Sequence, residues 1–143
     1  HAVVPFYGQG MNAGFEDIHK LDQLIQKHGD DWEATFKAYQ ETRKPNADAI
    51  AELSYRNFME MSSKTADPNF LLQKKIEKHF AEKHPDKWTP VYRRVTFSER
   101  PYAEALAIGD KQEAIMHEVL QMPNIEAIWD SDVVEQKIFT LLG

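Results

Sequence analysis

Apolar residues recur at three- to four-residue spacing along most of the chain, the mark of helices that bury one face. Phe15, Ile18, Leu21, Ile25 and His28 make the first such stripe, and Gly29 follows as a C-terminal cap. Asp31 opens a second helix with Trp32, Phe36 and Tyr39 on one side. This helix is expected to end near Arg43, because Pro45 pushes Lys44 out of the helical region. Pro45 then suits the first turn of a third helix, which runs to about Met61. That helix is apolar on most sides, which predicts deep burial. Asp67-Pro68 repeats the start signal for a fourth, with Leu72, Ile76, His79 and Phe80 inward and several Lys and Glu outward.

The helical pattern breaks between His84 and Ser98. Pro85 and Pro90 punctuate the stretch, and Val91 to Phe97 is β-branched and aromatic, which favours extended backbone. Ser98, Glu99 and Pro101 begin another helix, reset at Gly109-Asp110; the next segment covers Lys111 to Gln121 and stops at Met122-Pro123. The last helix starts near Asp132, where Asp132 and Glu135 have capping-box spacing, and runs to Leu142. The predicted class is all-α, with six to seven helices and room for one short extended strand. There is no internal repeat and no low-complexity segment.

Length and charge narrow the classes. The 143 residues are one domain's worth of chain, enough to bury a core. With no cysteine, a disulfide framework and a thiolate metal site are excluded, which fits a reducing cytoplasm. A net charge of −6 argues against a general nucleic-acid binder. No apolar run approaches the roughly 20 residues that span a bilayer, so no membrane partner is expected.

Candidate chemistry concentrates at the start. His1-Ala-Val-Val-Pro-Phe-Tyr-Gly-Gln-Gly-Met-Asn-Ala-Gly-Phe-Glu-Asp17 reads as an apolar lead-in, a glycine-rich turn and a helix start, with Asn12 as its N-cap. Such a turn aims free N–H groups and a helix dipole at one spot, which suits a ligand atom with negative charge. Turns of this kind also occur with no ligand. Asn57 places an amide among Ile50, Leu53, Ser54 and Met61, and a buried amide without partners costs about 1–3 kcal/mol. Spacing alone fits a structural bond from Asn57 to a backbone group, and it fits Tyr92 as a core aromatic with its hydroxyl at the surface. Tyr39-x-x-x-Arg43-x-Pro45 reads as structural, with Arg43 capping carbonyls at a helix end. Glu113 and His117 are too few for a metal site, and His79 and His84 do not share a helix face.

The segment Pro5 to Asp17 closely resembles one near the end of the FAD domain in the flavin-dependent aromatic hydroxylases. Leu53-Ser-Tyr-Arg-Asn-Phe-Met-Glu-Met61 and Pro90-Val-Tyr-Arg-Arg-Val-Thr-Phe-Ser98 agree, and the wording is most similar to the branch that hydroxylates kynurenine. The likeness is strong to about Ser98 and weak beyond. It implies FAD as cofactor, NADPH as co-substrate, and L-kynurenine and O2 as substrates, with hydroxylation at ring C3. By the same likeness Gly10, Met11 and Asn12 meet the pyrimidine end of the flavin through their backbone, and Pro5 walls its ring. Phe6, Tyr7, Asn57 and Tyr92 fall on the substrate side, Asn57 and Tyr92 at its amino-acid end. No residue of the chain is assigned a catalytic role.

In that family a Gly-Asp-Ala-Ala stretch precedes the position of His1, and this chain has no Gly-x-Gly-x-x-Gly turn. The chain is therefore expected to be the carboxy-terminal third of a larger enzyme, inactive alone. Residues 1–17 read as the tail of the FAD domain, 18–98 as a substrate-side helical region, and 99–143 as a helical cover. The expected partner is the N-terminal FAD domain of the same chain; without it, Ala2 to Phe6 and the third helix should drive self-association. Two other readings stay open: a helical interaction or regulatory module without catalysis, and a sister hydroxylase with another aromatic substrate.

Overall fold

Three residues join the first two helices, and each side of the join carries its own chemistry. In the computed structural model, which describes residues 3–143, α1 spans Gly10–His28. It ends at Gly29, whose φ of 59° and N–H bond to the Ile25 carbonyl close the last turn. Asp31 caps α2 (Trp32–Met59), its carboxylate accepting the Ala34 N–H at 2.9 Å. The short join packs α2 on α1. His1 and Ala2, part of the expected apolar lead-in, lie outside the described residues.

Helix α2 does not stop near Arg43; it runs through Pro45. An interior proline costs about 3 kcal/mol, so tertiary contacts on both sides must offset it. Arg43 reaches α1, donating to Asp17 at 2.5 Å, to Glu16 at 3.0 Å and to the Ala13 carbonyl at 3.4 Å. It therefore ties two helices together rather than capping the end of its own. Burial works against its charge, but the bonds to Asp17 and Glu16 prevail and raise its pKa. On the far side of the proline, the Asn46 side chain accepts the Ala103 N–H at 3.1 Å, and Ala49, Ile50 and Leu53 are buried. The second half of α2 is buried on one face only: Tyr55, Phe58 and Met59 are exposed, as is Met61 beyond it.

A π-helical turn, Glu60–Lys64, ends this run. Helix α3 (Pro68–Lys83) starts as its Asp67-Pro68 signal predicts, with the Asp67 carboxylate on the Asn69 N–H at 2.9 Å. Val91–Phe97 is not extended but forms a short helix, α4. Its local β-propensity loses because no strand among the described residues offers it a partner, and an isolated strand leaves backbone groups unpaired. In the helix, the Pro90 carbonyl accepts the Arg93 and Arg94 N–H groups and Val95 is buried.

Helix α5 (Tyr102–Leu120) passes through Gly109 without a reset. The glycine serves a close approach: a Cβ there would stand 3.1 Å from a methyl of Val91. After Met122-Pro123 the chain makes the one-turn α6 (Ile125–Ile128), with Asn124 left-handed at φ 55°. Helix α7 (Asp132–Leu142) is capped at Ser131, so Asp132 and Glu135 form no capping box. Glu135 is drawn instead to the end of α3, where it accepts from Lys83 and lies 3.2 Å from His84 and 3.7 Å from His79. The two histidines thus converge on one carboxylate despite their spacing. No helix among the described residues is long and apolar enough to cross a membrane.

Two cores result, and α5 enters both. Ile115, Met116 and Val119 pack with Ile76, Phe80, Trp88, Val134 and Ile138. Tyr102 and Ala105 pack with Ala13, Ala49, Ile50, Leu53 and Val95.

Lys83 and then His84 hold the Glu135 carboxyl below its ordinary value of 4.5, while Glu135 raises Lys83 above 10.5. A depressed acid stabilises above its unfolded value and loses that stabilisation as pH falls through the folded one. The raised lysine stabilises below its unfolded value and loses it as pH rises through the folded one. The pair thus contributes in full between 4.5 and 10.5. Thermal melts across pH should show Glu135→Gln less stable than the wild type at neutrality, with the gap closing in acid. A gap that does not change with pH contradicts this account.

Candidate functional site

The loop before α1 is held from two sides. On one, the Asn57 amide of α2 donates to the Phe6 carbonyl at 2.9 Å, and the Phe6 ring packs on Phe58 at 5.0 Å. On the other, Tyr7 stacks on Tyr92 of α4, with ring centroids 5.6 Å apart and planes 24° from parallel. Gly8 carries the turn at φ 68°, in open space that no neighbour fills within 4 Å of its Cβ position. Asn57 therefore has the backbone partner that its place in an apolar stripe demands.

The helix cap differs from the expected one. Gln9, not Asn12, is the N-cap residue of α1. Its buried side-chain oxygen accepts from Asn12 at 2.9 Å and from the Tyr102 hydroxyl at 3.1 Å. The helix begins at Gly10, and its first backbone bond runs from the Ala13 N–H to the Gln9 carbonyl. The N–H groups of Gly10, Met11 and Asn12 thus form the first turn, which has no intrahelical acceptors. Met11 is 72% exposed, so the surface at this helix start is open.

Beneath Tyr7 lies a cavity of about 690 Å3, a size that suits a small ligand. Tyr7, Asn57 and Tyr92 all line it, with Glu60 of the π-turn, the buried Trp88 and Gln112 of α5. Of the residues expected to act together, these three tyrosine and asparagine side chains share one space. Phe6 and Pro5 are not among its walls, and Asn12 borders a second cavity with Gln9, Arg43 and Tyr102. The loop from Tyr7 to Gln9 runs between the two.

Sequence reasoning missed Gln9 and Gln112. Gln112 had a readable signal, since it interrupts a stripe of Ala105, Ile115 and Val119 as Asn57 interrupts its own. Gln9 sits between two glycines and had none. Part of the charge in the cavity is compensated: Arg56 is bound by Glu52 at 2.7 Å and, across to α5, by Asp110 at 2.5 Å. Those bonds raise its pKa, so it remains a cation. Lys74 lies 3.2 Å from Glu77 and 3.8 Å from Glu60. No cluster of metal-binding side chains occurs among the described residues.

Burial pushes the Tyr7 phenol up to about 12, with the Glu60 carboxylate and Tyr92 adding to the shift. Tyr7 is thus a neutral hydrogen-bond donor at any physiological pH. Ultraviolet titration of phenolate formation should show one tyrosine ionising near 12, and Tyr7→Phe should remove that step. A difference spectrum that places the Tyr7 step at the ordinary value of 10 contradicts its burial.

No family model matches the sequence. Among curated proteins, the chain is similar to the kynurenine 3-monooxygenase of Flavobacterium johnsoniae, 72% identical over 142 residues that make up 99% of this chain and 32% of that protein. It is 66% identical to the kynurenine 3-monooxygenase of Flavobacterium psychrophilum over 143 residues, again 32% of the relative. A more distant relative, the kynurenine 3-monooxygenase of Candida albicans, is 43% identical over 120 residues, 83% of this chain and 26% of that protein. The match to the Flavobacterium proteins spans the chain past Ser98, whereas that to the Candida protein covers 120 residues. The chain spans about a third of the length of these relatives. Across nearly its whole length, then, the chain is closely similar to a segment that makes up about a third of these kynurenine 3-monooxygenases.

Proposed function

We propose that this chain is the carboxy-terminal part of a flavin-dependent monooxygenase that hydroxylates L-kynurenine at C3, using FAD, NADPH and O2 in the cytoplasm. The observation that carries the reading is the single loop that serves two sites. It lines the cavity of Tyr7, Asn57 and Tyr92 and leads directly into the open first turn of α1. The name shared by the relatives supplies the substrate class.

The donor set fits a flavin. The N–H groups of Gly10, Met11 and Asn12, at the positive end of α1, suit the negative charge on the pyrimidine edge of a reduced isoalloxazine. Pro5 would flank the ring. Bound there, the flavin would supply the activation of O2 and the transfer of one oxygen atom to the aromatic ring. The protein's own residues bind and orient the substrate. Because the Asn57 amide nitrogen is engaged by Phe6, its carbonyl oxygen is the group offered to the substrate, and it suits an ammonium. The Tyr92 hydroxyl suits the carboxylate, and Tyr7, kept as a phenol, gives a second donor. The buried Trp88 gives the cavity one apolar wall, and Phe6 packs on Phe58 outside it. On this reading residues 1–17 close the flavin site, 18–98 form the substrate side and 99–143 cover it, while the remaining part of the parent supplies the dinucleotide site.

In the full-length parent, Asn57→Ala and Tyr92→Phe should both weaken kynurenine binding, Tyr92→Phe with FAD content near normal. Each removes a hydrogen bond worth about 0.5–3 kcal/mol, depending on the partner's charge, so Kd should rise roughly two- to a hundred-fold. Wild-type Kd in both variants overturns the substrate assignment.

The same reading explains the apolar surface of α1 and α2, where Phe15, Ile18, Trp32 and Phe36 are more than half exposed and Trp32 packs on Phe36 at 5.6 Å. This face would meet the FAD domain of the parent. The chain by itself should self-associate through it. Light scattering should give a mass above 16.6 kDa that falls when Phe15 and Ile18 are changed to Ser. A strictly monomeric wild-type chain at high concentration contradicts the idea.

A further inference from the structure

Gln112 interrupts the buried stripe of α5, and a buried polar side chain there needs a partner. It is 8% exposed, and its amide donates to the Thr89 carbonyl at 3.0 Å. The Arg94 side chain donates to the same carbonyl at 3.4 Å. One turn earlier on α5, Gly109 admits Val91 so closely that a Cβ would stand 3.1 Å from its methyl. Residues three apart on a helix share a face, so α5 holds the start of α4 at two adjacent points, Thr89 and Val91.

Helix α4 has seven residues and no side-chain bond at its N-cap. A helix so short has little stability of its own, and its direction is set by what fastens it. Tyr92 follows the second fastening directly, and its ring lies on Tyr7 at the cavity wall.

We propose that Gln112 is a positioning residue for the substrate cavity, acting through the Thr89 carbonyl to aim Tyr92 at the ligand. The proposal rests on the reading of that cavity as the kynurenine site. Gln112 gives α5, the helix shared by both cores, a direct hold on a substrate contact. A change in packing at α5 is thereby transmitted to Tyr92.

The test is a double-mutant cycle in the full-length parent. Gln112→Met keeps length and burial but removes the donor. L-kynurenine Kd and FAD content are measured for this variant with Tyr92 intact and with Tyr92→Ala. With Tyr92 intact, Kd should rise about three- to ten-fold while FAD content holds. In the Tyr92→Ala background Gln112→Met should add nothing further. An unchanged Kd with Tyr92 intact, or an equal rise in both backgrounds, overturns the proposal. A purely structural role lowers the melting temperature without this dependence on Tyr92. Should Gln112→Met not accumulate as a flavoprotein, Gln112→Glu keeps polarity and length, lacks the donor at neutral pH, and runs the same cycle. A wild-type Kd for Tyr92→Ala alone overturns the kynurenine site itself, and the proposal with it.

Discussion

A backbone carbonyl set among aromatic rings has to find a donor, and the shape of this site follows from how Phe6 finds one. Its partner is the amide of Asn57, brought by α2. That bond fixes the height of the loop above α2, lays Phe6 on Phe58 and presents Tyr7 to Tyr92. Two residues further on, Gln9 caps α1 and receives the Tyr102 hydroxyl of α5. One side-chain amide thus sets the position of a loop that reaches three other helices. Asn57 and Phe6 are both half-buried, so the bond contributes on the order of 1 kcal/mol to holding the loop there.

The loop keeps its position only if α2 and α5 keep theirs. Helix α2 spans its internal proline because Arg43 and Asn46 anchor it on either side, to α1 and to the start of α5. Helix α5 then runs through both cores, with Tyr102 and Ala105 in one and Ile115, Met116 and Val119 in the other. The far end of the molecule joins the same frame through Glu135, which fixes α7 to the end of α3. The cavity lies where α2, α3, α4 and α5 meet, so its walls come from elements belonging to both cores.

Local chemistry was legible in the chain at several helix ends, though not at the starts of α1 and α7. Gly29, Asp31 and Asp67-Pro68 stop and start helices where their residue types say they should. The all-α class followed from periodicity, and the oddness of an amide at Asn57 correctly required a partner, though not which one. What stayed hidden depends on neighbours distant in sequence. Pro45 breaks a helix in isolation, yet it is carried by contacts with residues 26 and 57 positions away from Arg43 and Asn46. Val91 to Phe97 reads as extended until the absence of a strand partner and the hold of α5 are known. Gly109 looked like a break because its close neighbour is Val91, and Glu135 looked like a cap because Lys83 and His84 lie 52 and 51 residues away. The resemblance named the family residues but not the loop geometry that joins them. Gln9 and Gln112 were invisible to it.

The central claim is that the cavity under Tyr7 is where the family's substrate lies, beside the open first turn of α1. A structure of the full-length parent with FAD and L-kynurenine tests it most directly. The account predicts the substrate's amino-acid end within hydrogen-bond distance of Asn57 and Tyr92, and the flavin's pyrimidine edge against the N–H groups of Gly10, Met11 and Asn12. Kynurenine bound elsewhere, with that cavity filled by a side chain or by water alone, contradicts it.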